Sequence, residues 1–379
     1  MGVSDGRLPL LAGSAARAPS AHGGPDARGA APFDFSTNSN ACGPYAPALA
    51  RVQQVDATRY PDPTYTDLRA RLAALHGVAP ARIALAASAS EFIHRITALA
   101  AQRGANAVAL PTHSYVDYAD AAHARGLQPL RPSDTGYATA ELQWACEPSS
   151  PLGGADPAWA AWRRPGGAAD VAPSARHGAP AVFRSLRVLR VLDCAYAPLR
   201  LHGADAELHH AAAGSEPWGV APVSGVWQLW TPNKALGLTG VRAAYAVAPA
   251  EAQAEADVAA LAALSPSWPI GAHGVAMLRC WIEPCTQRWL AHCLPVLREW
   301  KALQEALCRE LGWSVVPGSL ANYFCAQVPT ADLAAALGRL RTRGVQLRDC
   351  TALGLPGTVR LGVLPPVAQH ALREAWRAQ

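Results

Sequence analysis

The sequence predicts an α/β protein, a mostly parallel sheet sandwiched by helices, followed by a smaller α+β unit at the C-terminus. Three observations carry that expectation. Short β-rich apolar runs alternate with helical patterns through the first two thirds of the chain, as βαβ units require. Half of the residues are apolar and only 16% are charged, a composition that can bury a sizeable core. At 379 residues the chain exceeds the usual size of a single core, so one large and one small unit are expected.

The elements follow in order. Residues 1–32 include LPLLAGSAARAPSA behind Asp5, an apolar run too short for a secretion signal, and read as a flexible tail. Residues 33–250 form the large unit. There IALAAS precedes the helical EFIHRITALAAQ, AVALPT precedes YADAAHARG, and VLRVLDCAY and GVWQLWTP supply two further strands. Between Pro151 and Pro180 the composition shifts to Gly, Pro, Ala and Arg, which suggests a weakly structured connection with one short helix around Trp159 to Trp162. Residues 251–379 open on a long helical stretch. Its segment 258–278 holds no Asp, Glu, Lys or Arg over about the thickness of a membrane, but Pro266, Pro269 and Gly271 divide it into helix, turn and helix. NYFCAQV, an Ala/Leu-rich helix and VRLGVL complete the α+β unit.

Charge and cysteine usage exclude several functions. The net charge of +5 is spread thinly, without a run of five basic residues or aromatics interleaved with basic clusters, so a nucleic-acid partner is not expected. Nine cysteines lie between Cys42 and Cys350 with no CxxC pair, which suits reduced thiols in the cytoplasm rather than a disulfide framework. Cys280, Cys285, His292 and Cys293 have no common structural zinc spacing, and inert thiols are their ordinary explanation, so no metal is expected.

The chemistry is concentrated in LWTPNKALGLTGVRAAY, residues 229 to 245. Lys234 follows an apolar strand, and Arg242 comes eight residues later behind Gly237 and Gly240. A lysine after a strand is ordinarily solvated, and GLTG lacks the third glycine of a dinucleotide fingerprint. Other features change the weighting. Asp193 ends the apolar run VLRVLDCAY, where a carboxylate calls for a cationic partner. Arg242 behind its glycines suits a phosphate, and Ser88 and Ser90 stand before a helix whose first N–H groups can receive an anion. A nucleophilic lysine, a carboxylate for a buried cation and two phosphate-holding elements together describe a pyridoxal 5′-phosphate site.

These stretches, with RYPDPTY, ASASE, PTHSY, DCAY, SLANYF and LRDCTALGLPGTVRLGV, make the chain resemble fold-type I pyridoxal-phosphate enzymes. The likeness is to the branch of histidinol-phosphate aminotransferase and threonine-phosphate decarboxylase, and it runs from about Phe33 to Trp376. It implies that Lys234 is the Schiff-base lysine, Asp193 the partner of the pyridine nitrogen and Tyr196 the phenol on the ring hydroxyl. It implies phosphate contacts from Ala89, Ser90, Thr231 and Arg242, and from Tyr60 of a neighbouring subunit in a homodimer. His113 stands where an aromatic ring stacks on the cofactor, an arrangement imidazole can adopt. Arg360 matches the clamp on the substrate's α-carboxylate and Arg348 the arginine near its side-chain phosphate, while Asn38 and Asn40 lie in the segment that lines the substrate pocket.

Two positions depart from the family's pattern. Ser150 in SSPLG stands where an asparagine ordinarily donates to the ring hydroxyl, and Asn233 replaces a hydroxyl or small residue before the lysine. Two arginines twelve residues apart suggest a substrate with two anionic groups, a structural ion pair being the alternative for one of them. The activity implied is transamination of a small, phosphorylated amino acid or amine. The alternatives are the threonine-phosphate decarboxylase of cobalamin biosynthesis, to which HGG at 22 to 24 and SWPIGAHG are similar, and a cofactor-binding protein with little catalysis.

Overall fold

Leu142–Cys146, Leu189–Asp193 and Val226–Trp230 are buried at every position, as strands covered on both faces must be. They lie at the centre of the computed structural model, which describes residues 23–164, 188–203, 220, 223–251 and 253–378. In chain order its strands are β1 (Phe33–Asp34), β2 (Ile83–Ala86), β3 (Ala107–Ala109), β4 (Gln128–Leu130), β5 (Leu142–Cys146), β6 (Leu189–Asp193), β7 (Val226–Trp230) and β8 (Ala244–Val247). There follow β9 (Ser314–Val315), β10 (Tyr323–Gln327), β11 (Val345–Gln346), β12 (Arg348–Asp349) and β13 (Thr358–Gly362).

The central sheet has the order β2-β8-β7-β6-β5-β3-β4. Its neighbours are parallel from β7 to β4, while β8 runs antiparallel to both β7 and β2. Two apolar layers cover it. Phe92, Ile96, Tyr118, Trp144 and Trp227 belong to one, and Trp159, Trp162, Trp230, Leu278 and Trp281 to the other. The expected mostly parallel sheet between helices is therefore the fold observed.

The uncharged stretch at 258–278 forms the end of the helix Ala254–Ala263, a turn, and most of the helix Ala272–Trp281. The 27-residue helix Pro284–Glu310 then leads to the antiparallel sheet β12-β13-β10-β9. No helix among the described residues is long and apolar enough to cross a membrane.

One expectation is corrected: residues 23–32, read from the sequence as part of a flexible tail, are held against the rest of the chain. From Gly23 the chain is tied down: the Ser36 hydroxyl accepts from Gly24 N at 2.8 Å, Gln346 Nε2 donates to the Gly24 carbonyl, and Arg341 grips Asp26 through two 2.9 Å contacts. Residues 1–22 lie outside the described residues. After Pro151 the short helix expected around Trp159 to Trp162 is found as Pro157–Trp162, capped by Asp156 and burying Trp159 and Trp162 in the core. Residues 165–187 lie outside the description.

Candidate active site

The carboxyl ends of the parallel strands open into a cleft of about 420 Å³, where an α/β sheet ordinarily places its ligand. Strand β6 delivers Asp193, the turn after β7 delivers Thr231, Asn233 and Lys234, and the helix Ala89–Gln102 aims its first turn inward with Ala89 and Ser90. Arg242 closes that side. Arg348 and Arg360 reach in from the opposite wall, on β12 and β13.

Asp193 is 5% exposed and well held. Tyr118 donates its hydroxyl to Oδ2 at 2.7 Å, and Ala195 N donates to Oδ1 at 2.9 Å. Burial pushes this carboxyl above its ordinary range, opposed by those two hydrogen bonds and by the charge of Lys234. Tyr118 is itself immobilised, its ring stacked on Trp144 at 4.4 Å. It stands three residues beyond Tyr115 in PTHSYVDY, at the opening of the helix Val116–Ala124, a phenol that sequence reasoning missed.

Lys234 Nζ lies 5.1 Å from the centre of the Tyr196 ring. Its backbone is fixed on both sides: Asn233 Oδ1 accepts from Lys234 N, and the Lys234 carbonyl accepts from Asn40 N at 2.9 Å. Asn233 thus serves the turn, with its amide nitrogen on the Thr239 carbonyl at 3.5 Å. Gly237 has φ +70°, and a Cβ there would come 2.9 Å from Pro44 Cα. Its small size answers to the chain packed against it rather than to a ligand.

Several assigned positions behave differently from expectation. His113 is not part of the cleft wall: its Nδ1 contacts the Leu353 carbonyl at 2.9 Å, which turns the imidazole toward the 351–354 turn. Tyr115, two residues on, does line the cleft, and its hydroxyl meets Ser90 Oγ at 3.2 Å. Asn40 does not line the cleft either, since its side chain joins the Ala235 carbonyl and Cys42 N. Asn38 does face it. Its Nδ2 donates to the Tyr196 hydroxyl at 3.1 Å, so an amide stands beside that phenol although Ser150 has replaced the usual asparagine. Ser150 Oγ is 3.5 Å from Arg360 Nη1. Tyr60 is 78% exposed and lies outside its own chain's cleft.

The two arginines face each other directly across β12 and β13. Arg360 donates to the Ser36 carbonyl at 3.1 Å and lies over the Tyr323 ring, yet among the described residues its Nε has no partner, and neither has the buried Arg348 Nη1. Burial, with Arg360 beside it, pulls Arg348 below the usual guanidinium range.

The family model for "Aminotransferase class I and II" matches residues 181–378, more than half of the chain. The chain belongs to that family. It is a pyridoxal-phosphate-dependent enzyme of fold type I. Among solved structures it is similar to the histidinol-phosphate aminotransferase of Sinorhizobium meliloti in complex with pyridoxal-5′-phosphate (19% identity, 90% of each chain covered, TM-score 0.65). It is also similar to the L-threonine-O-3-phosphate decarboxylase of Porphyromonas gingivalis (18%, 91% of this chain and 98% of that one, TM-score 0.66). A third is the aspartate aminotransferase of Thermus thermophilus with maleate (18%, 90% and 89%, TM-score 0.65). Curated proteins offer no match.

The aminotransferase's cleft fits that cofactor on its own chemistry. An amine stands across from a carboxylate fixed by two donors, and Thr231 Oγ1 is buried without a partner among the described residues. Beside it the first turn of the helix Ala89–Gln102 presents N–H groups to an anion.

Proposed function

We propose that this enzyme transaminates a small, phosphorylated amino acid or amine, in the manner of histidinol-phosphate aminotransferase. The pair Arg348 and Arg360 carries the reading. Like charges directly opposite across two strands repel, and buried donors without acceptors are costly; anions on the substrate relieve both.

In this reading Lys234 holds the cofactor covalently, Asp193 receives its protonated ring nitrogen, and Tyr196 with Asn38 beside it meets the ring hydroxyl. Ala89, Ser90, Thr231 and Arg242 hold the phosphate. Bound pyridoxal phosphate supplies an electron sink that weakens the bonds at the substrate's Cα. Arg360 would fix the α-carboxylate of an amino-acid substrate, Arg348 would take the second anion, and the Lys234 amine, set free when the substrate's amine displaces it, would remove the Cα proton. Tyr60, stacked on Trp268 at 4.4 Å with Trp268 Nε1 on the Pro61 carbonyl, would complete the phosphate site of a partner subunit in a homodimer. Nine free cysteines suit the cytoplasm.

A second reading, decarboxylation, is favoured by Gly23. It lines the cleft, and a Cβ there would lie 2.1 Å from the Ser36 carbonyl oxygen, so this glycine of the HGG stretch supports that reading. The test is to incubate holoenzyme with histidinol phosphate, threonine phosphate and common amino acids in deuterated water. Keto product with exchange of the Cα hydrogen is expected. Carbon dioxide without keto product would establish decarboxylation instead, and silence across the panel would leave a cofactor-binding protein with little catalysis.

A further inference from the structure

Of the 33 lysines and arginines, all but Lys234 and Lys301 are arginine. Lys301 lies in the helix Pro284–Glu310, 1% exposed, and forms no ion pair among the described residues. A buried charge without a counter-ion is expensive, so this ammonium needs a structural reason. Its three hydrogens have three acceptors: the Ser319 carbonyl at 2.7 Å, Ser319 Oγ at 3.0 Å and the Ala321 carbonyl at 2.9 Å. Burial lowers the Lys301 pKa to about 8, which leaves all three hydrogens in place at neutral pH. A guanidinium, planar and larger, does not present three donors from one point.

The segment held in this way leads straight into the cleft. Asn322 Nδ2 donates to the Asn38 and Ser39 carbonyls at 3.2 and 3.3 Å. Tyr323 donates its hydroxyl to the Ser149 carbonyl at 2.7 Å. The same ring lies beneath Arg360, 5.5 Å from its guanidinium carbon, and meets the Tyr196 ring at 4.7 Å. We propose that Lys301 is a positioning residue for substrate binding: its ammonium sets the course of residues 319–323, and through Tyr323 and Asn322 it determines where Arg360 and Asn38 stand. The inference rests on the reading of Arg360 as the holder of a substrate anion.

The experiment compares holoenzymes of the native chain, Lys301→Met, Lys301→Arg and Ser319→Ala. Each is titrated calorimetrically with maleate, a dicarboxylate probe, and assayed with the best amino substrate. Both Lys301 variants should retain the cofactor and its borohydride-reducible linkage while binding maleate about tenfold more weakly, and the loss in turnover should fall in KM rather than kcat. Ser319→Ala, which removes one of the three acceptors, should shift affinity in the same direction by a smaller factor. Unchanged maleate affinity and KM in Lys301→Met, with only a lower Tm, would make the lysine merely structural and overturn the proposal. If Lys301→Met does not fold, unchanged affinity and KM in Ser319→Ala overturn it equally. A native enzyme that binds no maleate would sink the anion reading of Arg360 and this inference with it, whereas native binding with unaltered variants sinks this inference alone.

Discussion

The two walls of the cleft differ in how far their polar groups are already satisfied. On the central-sheet side Asp193 has two donors, Asn233 is spent on its own turn, and Ser90 meets Tyr115. On the β12-β13 side Arg348 and Arg360 keep buried donors without acceptors among the described residues. On the first wall the carboxylate and the lysine's turn are held by the protein itself, while Thr231 Oγ1 and the cleft-facing Asn38 Oδ1 are buried without partners among the described residues. In the proposed function the second is completed when a substrate anion arrives. A wall whose reactive carboxylate and lysine turn are fixed in advance suits a resident cofactor, and one whose charged donors are left open suits a substrate that comes and goes.

Substitutions should therefore break the two walls differently. The largest effect is expected at Lys234→Ala, which should abolish borohydride fixation of the cofactor and lower turnover by more than about 10⁴-fold, the upper range for loss of a positioned acid–base group alone. Peptide mapping of the reduced protein checks it, and cofactor fixed to the variant chain would refute the assignment. Asp193→Asn comes next. Removing one member of a buried charge pair costs about 3–5 kcal/mol, so kcat should fall by about two to almost four orders of magnitude, and Tyr118→Phe, which deletes one donor to that carboxylate, should give a smaller loss in the same direction. If Tyr118→Phe proves as damaging as Asp193→Asn, the phenol has a role beyond support.

On the substrate wall, Arg348→Gln should raise KM for a dianionic substrate by about 10- to 100-fold, the range for a charge-assisted hydrogen bond, with kcat little changed. An equal fall in kcat and kcat/KM would place Arg348 with the cofactor wall and erase the contrast. The last effect concerns stability rather than turnover. Burial holds His76 at about 3, against an ordinary 6.5, beneath Tyr245, whose hydroxyl is 2.9 Å from its Nε2. The unfolded chain therefore takes up a proton before the folded one does. Stability should be full above pH 6.5 and decline by about 1.4 kcal/mol per pH unit as pH falls toward 3. Urea midpoints across that window, compared with His76→Gln, test this; the variant should show a shallower acid slope.

Much of the site was legible because its chemistry is local. An apolar strand ending in Asp193, a turn carrying Lys234 and a serine-led helix start are each written in a few consecutive residues, and each lines the cleft. The alternation of apolar runs and helical patterns likewise determined a mostly parallel sheet, because burial on both faces leaves no polar alternation along a strand. Side-chain direction was not legible. Whether His113 or Tyr115 enters the wall depends on the 351–354 turn, more than two hundred residues away, which supplies the Leu353 carbonyl that draws the imidazole aside. Asn40 and Asn38 look alike in sequence, yet Ala235 engages one and Tyr196 the other. Sequence by itself determined which elements form and which reactive groups stand at their ends, since backbone periodicity and burial act over neighbouring residues. Only the tertiary structure decided which of those groups point inward, which are left without partners, and that Lys301 is bound to the loop behind Arg360, because each of these depends on contacts between segments far apart in the chain.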